Sequence, residues 1–202
     1  MMLENFKSYL LKHAKLTEKE FTQLSSYFTV KKITKGEFLL HKHDICKHSF
    51  FVEQGLLRAY TIDDAGKEHV IQFAPENWFI TDRSSTFFNV PSELYIDAIE
   101  GSTVIVFDAN FIKHLLEISM AYRAYNELLL QNHIRHSQNR INQLLSATAE
   151  QRYMSFISLY PDLTLRVPQW MIASYLGITP ESLSRVRKEL AKRNFKPKNS
   201  VA

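Results

Sequence analysis

Within residues 169–188, Gln169, Ile172, Ala173, Leu176, Gly177, Ile178, Leu183 and Val186 stand at the offsets that a helix-turn-helix needs. Each offset has a mechanical reason. Ala173 is small where the second helix crosses the first, and Gly177 supplies the left-handed turn. Ile172, Leu176, Ile178, Leu183 and Val186 fill the small core between the helices. Pro168 suits the first turn of the first helix, while Thr179 is a good N-cap for the second, with Pro180 at its first helical position. An ordinary αα-hairpin is the alternative, but eight constrained positions met together favour the motif.

Charge points the same way. The chain as a whole carries +4, yet residues 165–202 hold eight Lys or Arg against only Glu181 and Glu189, a net +6 that leaves −2 for the rest. A basic end on a mildly acidic body predicts a polyanion partner, and the motif makes double-stranded DNA the expected one. In such a motif the start of the second helix enters the major groove, which turns Pro180, Glu181, Ser184 and Arg185 toward base edges. The two-donor fork of Arg185 suits guanine, and Glu181 can accept from cytosine. Thr179, Ser182, Arg187, Lys188 and Lys192 are placed for phosphate, where they add affinity without sequence information. For Lys188 and Lys192 a plain solvent-facing helix charge is the competing account.

Upstream the texture changes twice. The first thirty residues predict two short helices, with Phe6, Leu10 and Leu11 on one face, then Thr17 as N-cap and Glu20 three residues later, ahead of Phe21, Leu24 and Phe28. Short β-branched and aromatic runs follow: Ser49 to Val52, Leu56 to Ile62, His69 to Phe73, Leu94 to Ile99 and Thr103 to Phe107. The stretch from Asp63 to Glu68 is a Gly-containing loop that closes a hairpin. Many short strands argue for a β-sandwich or jelly roll.

From Asn110, read as an N-cap, helical spacing continues to about Leu145, and neither Pro nor Gly interrupts residues 102–160. Ile118, Tyr122, Tyr125 and Leu129 follow alternating four- and three-residue steps, the seam of a helix pair, and are assigned to a dimer interface. A second stripe, Leu130, Ile134, Ile141, Leu144 and Leu145, is displaced around the cylinder, so one face is left for the helix's own sheet. A helix buried in a monomer is the alternative. Thr148 to Tyr160 reads as a further helix, ended before Pro161.

Composition removes several classes. Hydrophobic residues at 45% and charged residues at 23% describe a globular chain, and the one cysteine, Cys46, allows neither an internal disulfide nor a four-thiolate iron–sulfur cluster. The opening segment mixes Glu4, Lys7, Lys12, His13 and Lys15 among its apolar residues, unlike a signal peptide, and no apolar run is long enough for a membrane span. A cytoplasmic protein with no membrane partner is expected.

The order of β-roll, long helix and helix-turn-helix resembles the cyclic-AMP receptor protein and FNR (Crp/Fnr) family of bacterial transcription regulators. The likeness covers nearly the whole chain. Its local carriers are residues 55–60 (Gly-Leu-Leu-Arg-Ala-Tyr), the hairpin Asp64 to Glu68, the segment Phe73 to Phe79, and residues 179–185 (Thr-Pro-Glu-Ser-Leu-Ser-Arg). The resemblance implies an α+β fold: a double-stranded β-helix (jelly roll) like a cyclic-nucleotide-binding domain over 1–117, a dimerisation helix over 118–146, and a winged helix-turn-helix over 147–202. It also implies a homodimer on a palindromic operator, a signal sensed at the β-roll, and RNA polymerase as a further partner.

Two departures qualify this. Family members that bind cyclic nucleotides place Arg-Ser near the end of a phosphate cassette, where here Ser92 and Glu93 stand. A carboxylate there repels phosphate, so cyclic AMP is not expected to bind in the usual way, and Arg83 is the one substitute cation in the stretch. No cofactor is assigned. For an unidentified small-molecule effector, Asp82, Arg83, Ser84, Ser85, Thr86 and Ser92 are the candidate lining, with a structural loop as the alternative. The second departure is the wing: only residues 196–202 follow Phe195, too few for a hairpin of strands, so a truncated wing is expected.

Two other readings compete. Gly36, His41, His43 and Gly55 resemble the cupin metal motif, and two His two apart on a strand point to one side. However, Lys47 and His48 stand where that motif needs its Glu, so no metal ligand or catalytic residue is assigned and the chain is expected not to be an enzyme. A signalling module whose helix-turn-helix no longer reads DNA is the other alternative, motivated by the missing wing and by Pro180 in a reading position.

Overall fold

The structure is a computed structural model that describes residues 3–194, so the stretch 195–202 on which the shortened wing rests lies outside the described residues. The chain divides into two compact units, 1–134 and 135–202, each described separately.

The first unit begins with α1 (Glu4–His13) and α2 (Glu18–Leu24), the latter opened by the expected capping box between Thr17 and Glu20. Eight strands follow: β1 (Phe28–Ile33), β2 (Phe38–Leu40), β3 (Ser49–Gln54), β4 (Leu57–Ile62), β5 (Glu68–Ala74), β6 (Phe79–Ile80), β7 (Tyr95–Ala98) and β8 (Ser102–Phe107). They form two antiparallel four-stranded sheets, ordered β1-β8-β3-β6 and β2-β7-β4-β5. A short helix, α3 (Arg83–Phe88), lies between β6 and β7, and α4 (Ala109–Ile118) follows β8.

Alternation along the strands builds two cores from one sheet. Phe50, Val52 and Val104 face Leu57, Ala59, Ile96 and Ala98 of the second sheet. Their neighbours Phe51, Ile105 and Phe107 face the other way, onto Phe6, Leu10, Phe21, Leu24, Phe111 and Leu115 of the helices. Because the first sheet is covered on both faces, β3 and β8 read as near-continuous apolar runs. The β4–β5 hairpin closes as expected, with the Asp63 N–H donating to the Lys67 carbonyl at 3.0 Å and Gly66 at φ +79°.

One helix cap comes from far along the chain. Leu3, before α1, offers no side-chain acceptor, and the buried carboxylate of Glu53 on β3 takes its place. Its two oxygens accept the Asn5 and Phe6 N–H groups at 2.8 Å each, and Asn5 Nδ2 donates to the Glu53 carbonyl. This satisfies two of the free donors at the helix start and sets a negative charge against its positive end.

The long helix differs from its expected form. Asp108, not Asn110, is the N-cap: its carboxylate accepts the Asn110 and Phe111 N–H groups. The helix then breaks at Ser119, where the hydroxyl accepts the Tyr122 N–H at 2.9 Å and donates to the Ala14 carbonyl at the end of α1. A serine hydroxyl competes with the backbone for its own hydrogen bonds, so one uninterrupted helical pattern becomes two helices. The second is α5 (Met120–Ser146), and the division between the units falls inside it.

Beyond α5, the second unit holds α6 (Ala149–Leu159), capped by Thr148 with Gln151 in a capping box, a single turn α7 (Leu163–Arg166), α8 (Gln169–Leu176) and α9 (Pro180–Asn194). Helices α6, α8 and α9 pack on one another. Tyr153, Phe156, Ile172, Ala173, Leu176, Leu183 and Val186 are buried there. Pro168 stands one residue earlier than expected, as the N-cap of α8. No described helix is long and apolar enough to cross a membrane.

Candidate nucleic-acid interface and sensor region

The turn between α8 and α9 forms as its residues predict. Gly177 adopts φ +63°, ψ +38°, and its N–H reaches the Ala173 and Ser174 carbonyls. Thr179 then opens α9 by accepting the Ser182 N–H on Oγ1 at 3.2 Å, while its carbonyl takes the Leu183 N–H. Leu183 and Val186 point inward. The helical period of 3.6 therefore turns Glu181, Ser184, Arg185, Lys188 and Lys192 onto one outward face, and all five are exposed. Arg187 is exposed beside the inward stripe, and Ser182 is half-buried by its capping role. Glu181 sits in the first turn, where its hydrogen bonds, first with its own backbone N–H and then with Thr179, lower its pKa from the usual carboxylate value. It stands ready as an acceptor. Lys188 shares the face of Glu181 and Arg185, a grouping that follows from the helical period once the inward stripe is known.

The sensor residues expected to line an effector pocket are turned to another task. Asp82 is the N-cap of α3: one carboxylate oxygen accepts the Ser85 N–H at 3.1 Å and the other accepts the Ser92 hydroxyl at 2.7 Å. Ser92 in turn accepts the Leu94 N–H, and the Ser85 hydroxyl accepts the Cys46 N–H at 2.8 Å. Asp82, Ser85 and Ser92 are all buried. Thr86 pairs with Thr81 at 3.0 Å, the Arg83 guanidinium lies 4.9 Å from the Phe87 ring, and Ser84 alone of the six is exposed. Burial lowers the pKa of Arg83 from its ordinary value. The predicted lining thus forms a hydrogen-bonded support for α3. The reason is that a run of short polar residues reads the same whether its hydroxyls face a ligand or satisfy their own backbone.

A shallow depression of about 460 Å³ does lie nearby, lined by Leu39, Leu40, Asp44, Ile45, Cys46, Lys47, His48 and Phe50. Of the residues of the metal reading, His41 stacks on Phe38 at 4.4 Å, and His43 sits in a turn at φ +75°. Among the described residues no group of three His, Cys, Asp or Glu is placed to hold a metal ion. Glu93 is exposed and paired with Lys42 at 3.3 Å.

On α5 the two stripes differ in burial. Tyr122 is buried among Phe111, Leu115 and the residues of α1 and α2, which pushes its hydroxyl pKa up to about 12. The Tyr125 hydroxyl meets that of Tyr9 at 2.8 Å, and its ring stacks on His13 at 4.4 Å. Burial, then the Tyr125 contact, raise the Tyr9 pKa as well. Of the first stripe, Tyr122 and Tyr125 therefore pack on their own unit, while Ile118, at the end of α4, is left 39% exposed. Leu130, Ile134, Ile141 and Leu144 are left 37–56% exposed. Which stripe meets its own chain depends on where α1 docks, and spacing along α5 carries no record of that.

Residues 30–119, from β1 to α4, match the cyclic nucleotide-binding domain. The anaerobic regulatory protein of Pasteurella multocida is 25% identical over 189 residues, 88% of this chain and 68% of that protein. The fumarate and nitrate reduction regulatory protein of Yersinia pestis is 26% identical over 192 residues, covering 89% of this chain and 76% of its own. Among solved structures, a CooA mutant from Carboxydothermus hydrogenoformans superposes with a TM-score of 0.71 at 18% identity, across 95% of this chain and 88% of that one. A sandwich of the cyclic-nucleotide-binding type, a long helix and a helix-turn-helix thus make the chain similar, over most of its length, to these regulatory proteins, with residues 30–119 matching the cyclic nucleotide-binding domain.

Proposed function

We propose that this chain is a homodimeric, non-enzymatic DNA-binding transcription regulator that reads a palindromic operator through α9 under control of a signal at the β-roll. The observation that carries the reading is the single outward face of α9, on which Glu181, Ser184, Arg185, Lys188 and Lys192 stand together over an apolar helix-turn-helix core. Arg185 and Glu181 read bases, with Pro180 and Ser184 at the same edges; Thr179, Ser182, Arg187, Lys188 and Lys192 hold phosphate. RNA polymerase is the further partner such a regulator addresses, and the cytoplasm is where its operator lies.

The effector class follows from the support of α3. Ser92 is already engaged by Asp82 and the Leu94 N–H, and the carboxylate of Glu93 beside it disfavours a cyclic phosphate. A signal other than cyclic AMP therefore controls the β-roll in this reading.

Selection of the purified protein from a random duplex pool at near-physiological salt tests the DNA reading directly. An enriched palindrome with half-sites about one helical turn apart is expected, and no enrichment with or without screened effectors removes the reading. On the enriched duplex, Arg185→Ala is expected to cost about 1–3 kcal/mol and relax preference at one base position. Lys188→Ala should weaken all duplexes alike and lower the slope of log affinity against log salt by about one.

The dimer seam is read as Leu130, Ile134, Ile141 and Leu144, which with Ser137 keep the alternating four- and three-residue steps of a helix pair. Ile134→Asp with Ile141→Asp should convert the protein from dimer to monomer by sedimentation, with palindrome binding lost as a consequence. A wild-type protein that sediments as a monomer at operator-binding concentrations overturns this part.

A further inference from the structure

The last turn of α8 has no basic residue of its own, so the carbonyls at its negative end need partners from elsewhere. Two arginines supply them. Arg140 of α5 donates from Nη2 to the Tyr175 carbonyl at 2.8 Å, and its guanidinium lies 3.8 Å from the centroid of the Tyr175 ring. Arg152 of α6 donates from Nη1 to the Leu176 carbonyl at 2.7 Å. The Ala173 and Ser174 carbonyls are taken by the Gly177 N–H, and Ala173 also receives the Ile178 N–H. Space around this point is tight: a Cβ on Gly177 would stand 3.1 Å from Leu144 Cδ2 and 3.3 Å from Arg152 Nη1. The end of α8 is thus a fixed point, and α9 starts three residues after Gly177.

We propose that Arg140 is a positioning residue that joins the exposed stripe of α5 to the reading helix, so that this contact sets the spacing of the two reading helices in a dimer. The inference rests on the DNA-reading function proposed above. Arg140 neighbours Ile141 and stands four residues before Leu144, both of the exposed stripe. A guanidinium stacked on a ring and bonded to the carbonyl of the same residue has its direction set twice, which the point charge of a lysine does not reproduce. The last turns of α5 and the core of the helix-turn-helix therefore behave as one piece. A partner stripe paired at Ile141 and Leu144 places the second reading helix at a defined distance. Without Arg140 the reading helices lose that reference, and the protein no longer specifies how far apart its half-sites must be.

The test uses the full chain and three duplexes: the palindrome enriched from the random pool, the same duplex with one half-site scrambled, and the same palindrome with one base pair added between half-sites. The wild type is expected to prefer the first strongly over the other two. Arg140→Ala should bind the palindrome about tenfold more weakly, the size of one charge-assisted hydrogen bond. Its half-site affinity should stay within about twofold and its salt slope unchanged, because no phosphate contact is removed. Its preference between the two spacings should largely disappear. Arg140→Lys keeps the charge and is expected to lose the spacing preference as well, and it carries the test if the alanine variant loses its helical circular dichroism. Equal losses on half-site and palindrome, or a lower salt slope, make Arg140 a DNA contact or a folding residue and overturn the proposal. So does an unchanged spacing preference in both variants. A wild type that binds none of the duplexes removes the DNA reading and this inference with it.

Discussion

Arg58→Ala is expected to lower the stability of the first unit by about 3–5 kcal/mol, as breaking a buried ion pair from one side does. Arg58 on β4 lies opposite Asp97 on β7, with Nε donating to Oδ1 at 2.8 Å and Nη2 to Oδ2 at 2.9 Å, while Nη1 meets Glu68. The guanidinium is stacked 4.0 Å from the Tyr60 ring, and both Arg58 and Asp97 are only 6% exposed. Burial opposes the charge of Arg58, but the Asp97 and Glu68 contacts outweigh it and hold its pKa above the ordinary value. Truncation leaves two carboxylates without their shared cation, one of them buried. Urea denaturation followed by tryptophan fluorescence measures the loss. Arg58→Leu combined with Asp97→Leu should recover most of it, because the cost lies in the orphaned charge rather than in the absence of the pair. A single-variant loss below about 1 kcal/mol would falsify the assignment of this pair as a buried, mutually dependent one.

Gly55→Ala should be comparably severe. Gly55 holds φ +99° between β3 and β4, where a side chain is strained at about 1–3 kcal/mol. An added Cβ would overlap Ser102 Oγ and stand 2.7 Å from Ser102 Cβ and 2.8 Å from its Cα. Ser102 has no room to give, since its buried hydroxyl accepts the Leu56 N–H at 3.1 Å and donates to the Glu100 carbonyl at 2.8 Å. Low soluble yield and a depressed thermal midpoint are the expected results. Adding Ser102→Gly removes two of the three clashing atoms, so the double variant should regain part of the loss and keep the conformational share. A single variant as stable as the wild type would show that the β3–β4 junction relaxes away from Ser102.

How much of this was legible beforehand depends on the range over which each feature is decided. The capping box at Thr17, the hairpin at Asp63 to Glu68 and the turn at Gly177 are settled within a few residues, and each forms where the sequence places it. The strands around Phe50, Tyr60 and Ile105 were visible as apolar runs, whereas the short β2 and β6 carry too few residues for any period to show. Asp108 and Asn110 are both good acceptors two residues apart, and only the backbone angles choose Asp108 as the cap. On α9, the inward Leu183 and Val186 fix by period alone which residues face outward.

The features that local patterning does not show are mostly long-range. Glu53 caps a helix that ends forty residues before it, Ser119 breaks α5 from α4 by bonding Ala14, and Tyr9 draws Tyr125 against α1. Asp82, Ser85 and Ser92 look like ligand-binding groups until the structure shows them bonded to Ser85, Cys46 and each other. Local patterning by itself determined the longer elements, their order and the exposed face of α9, because hydrogen bonding within a turn and burial of one stripe are nearest-neighbour effects. Tertiary structure decided which stripe of α5 remains free, which polar groups are already satisfied and which arginine holds the end of α8. Those outcomes depend on which distant groups arrive at the same place, and the free energy of a buried polar contact is defined only once both partners are there.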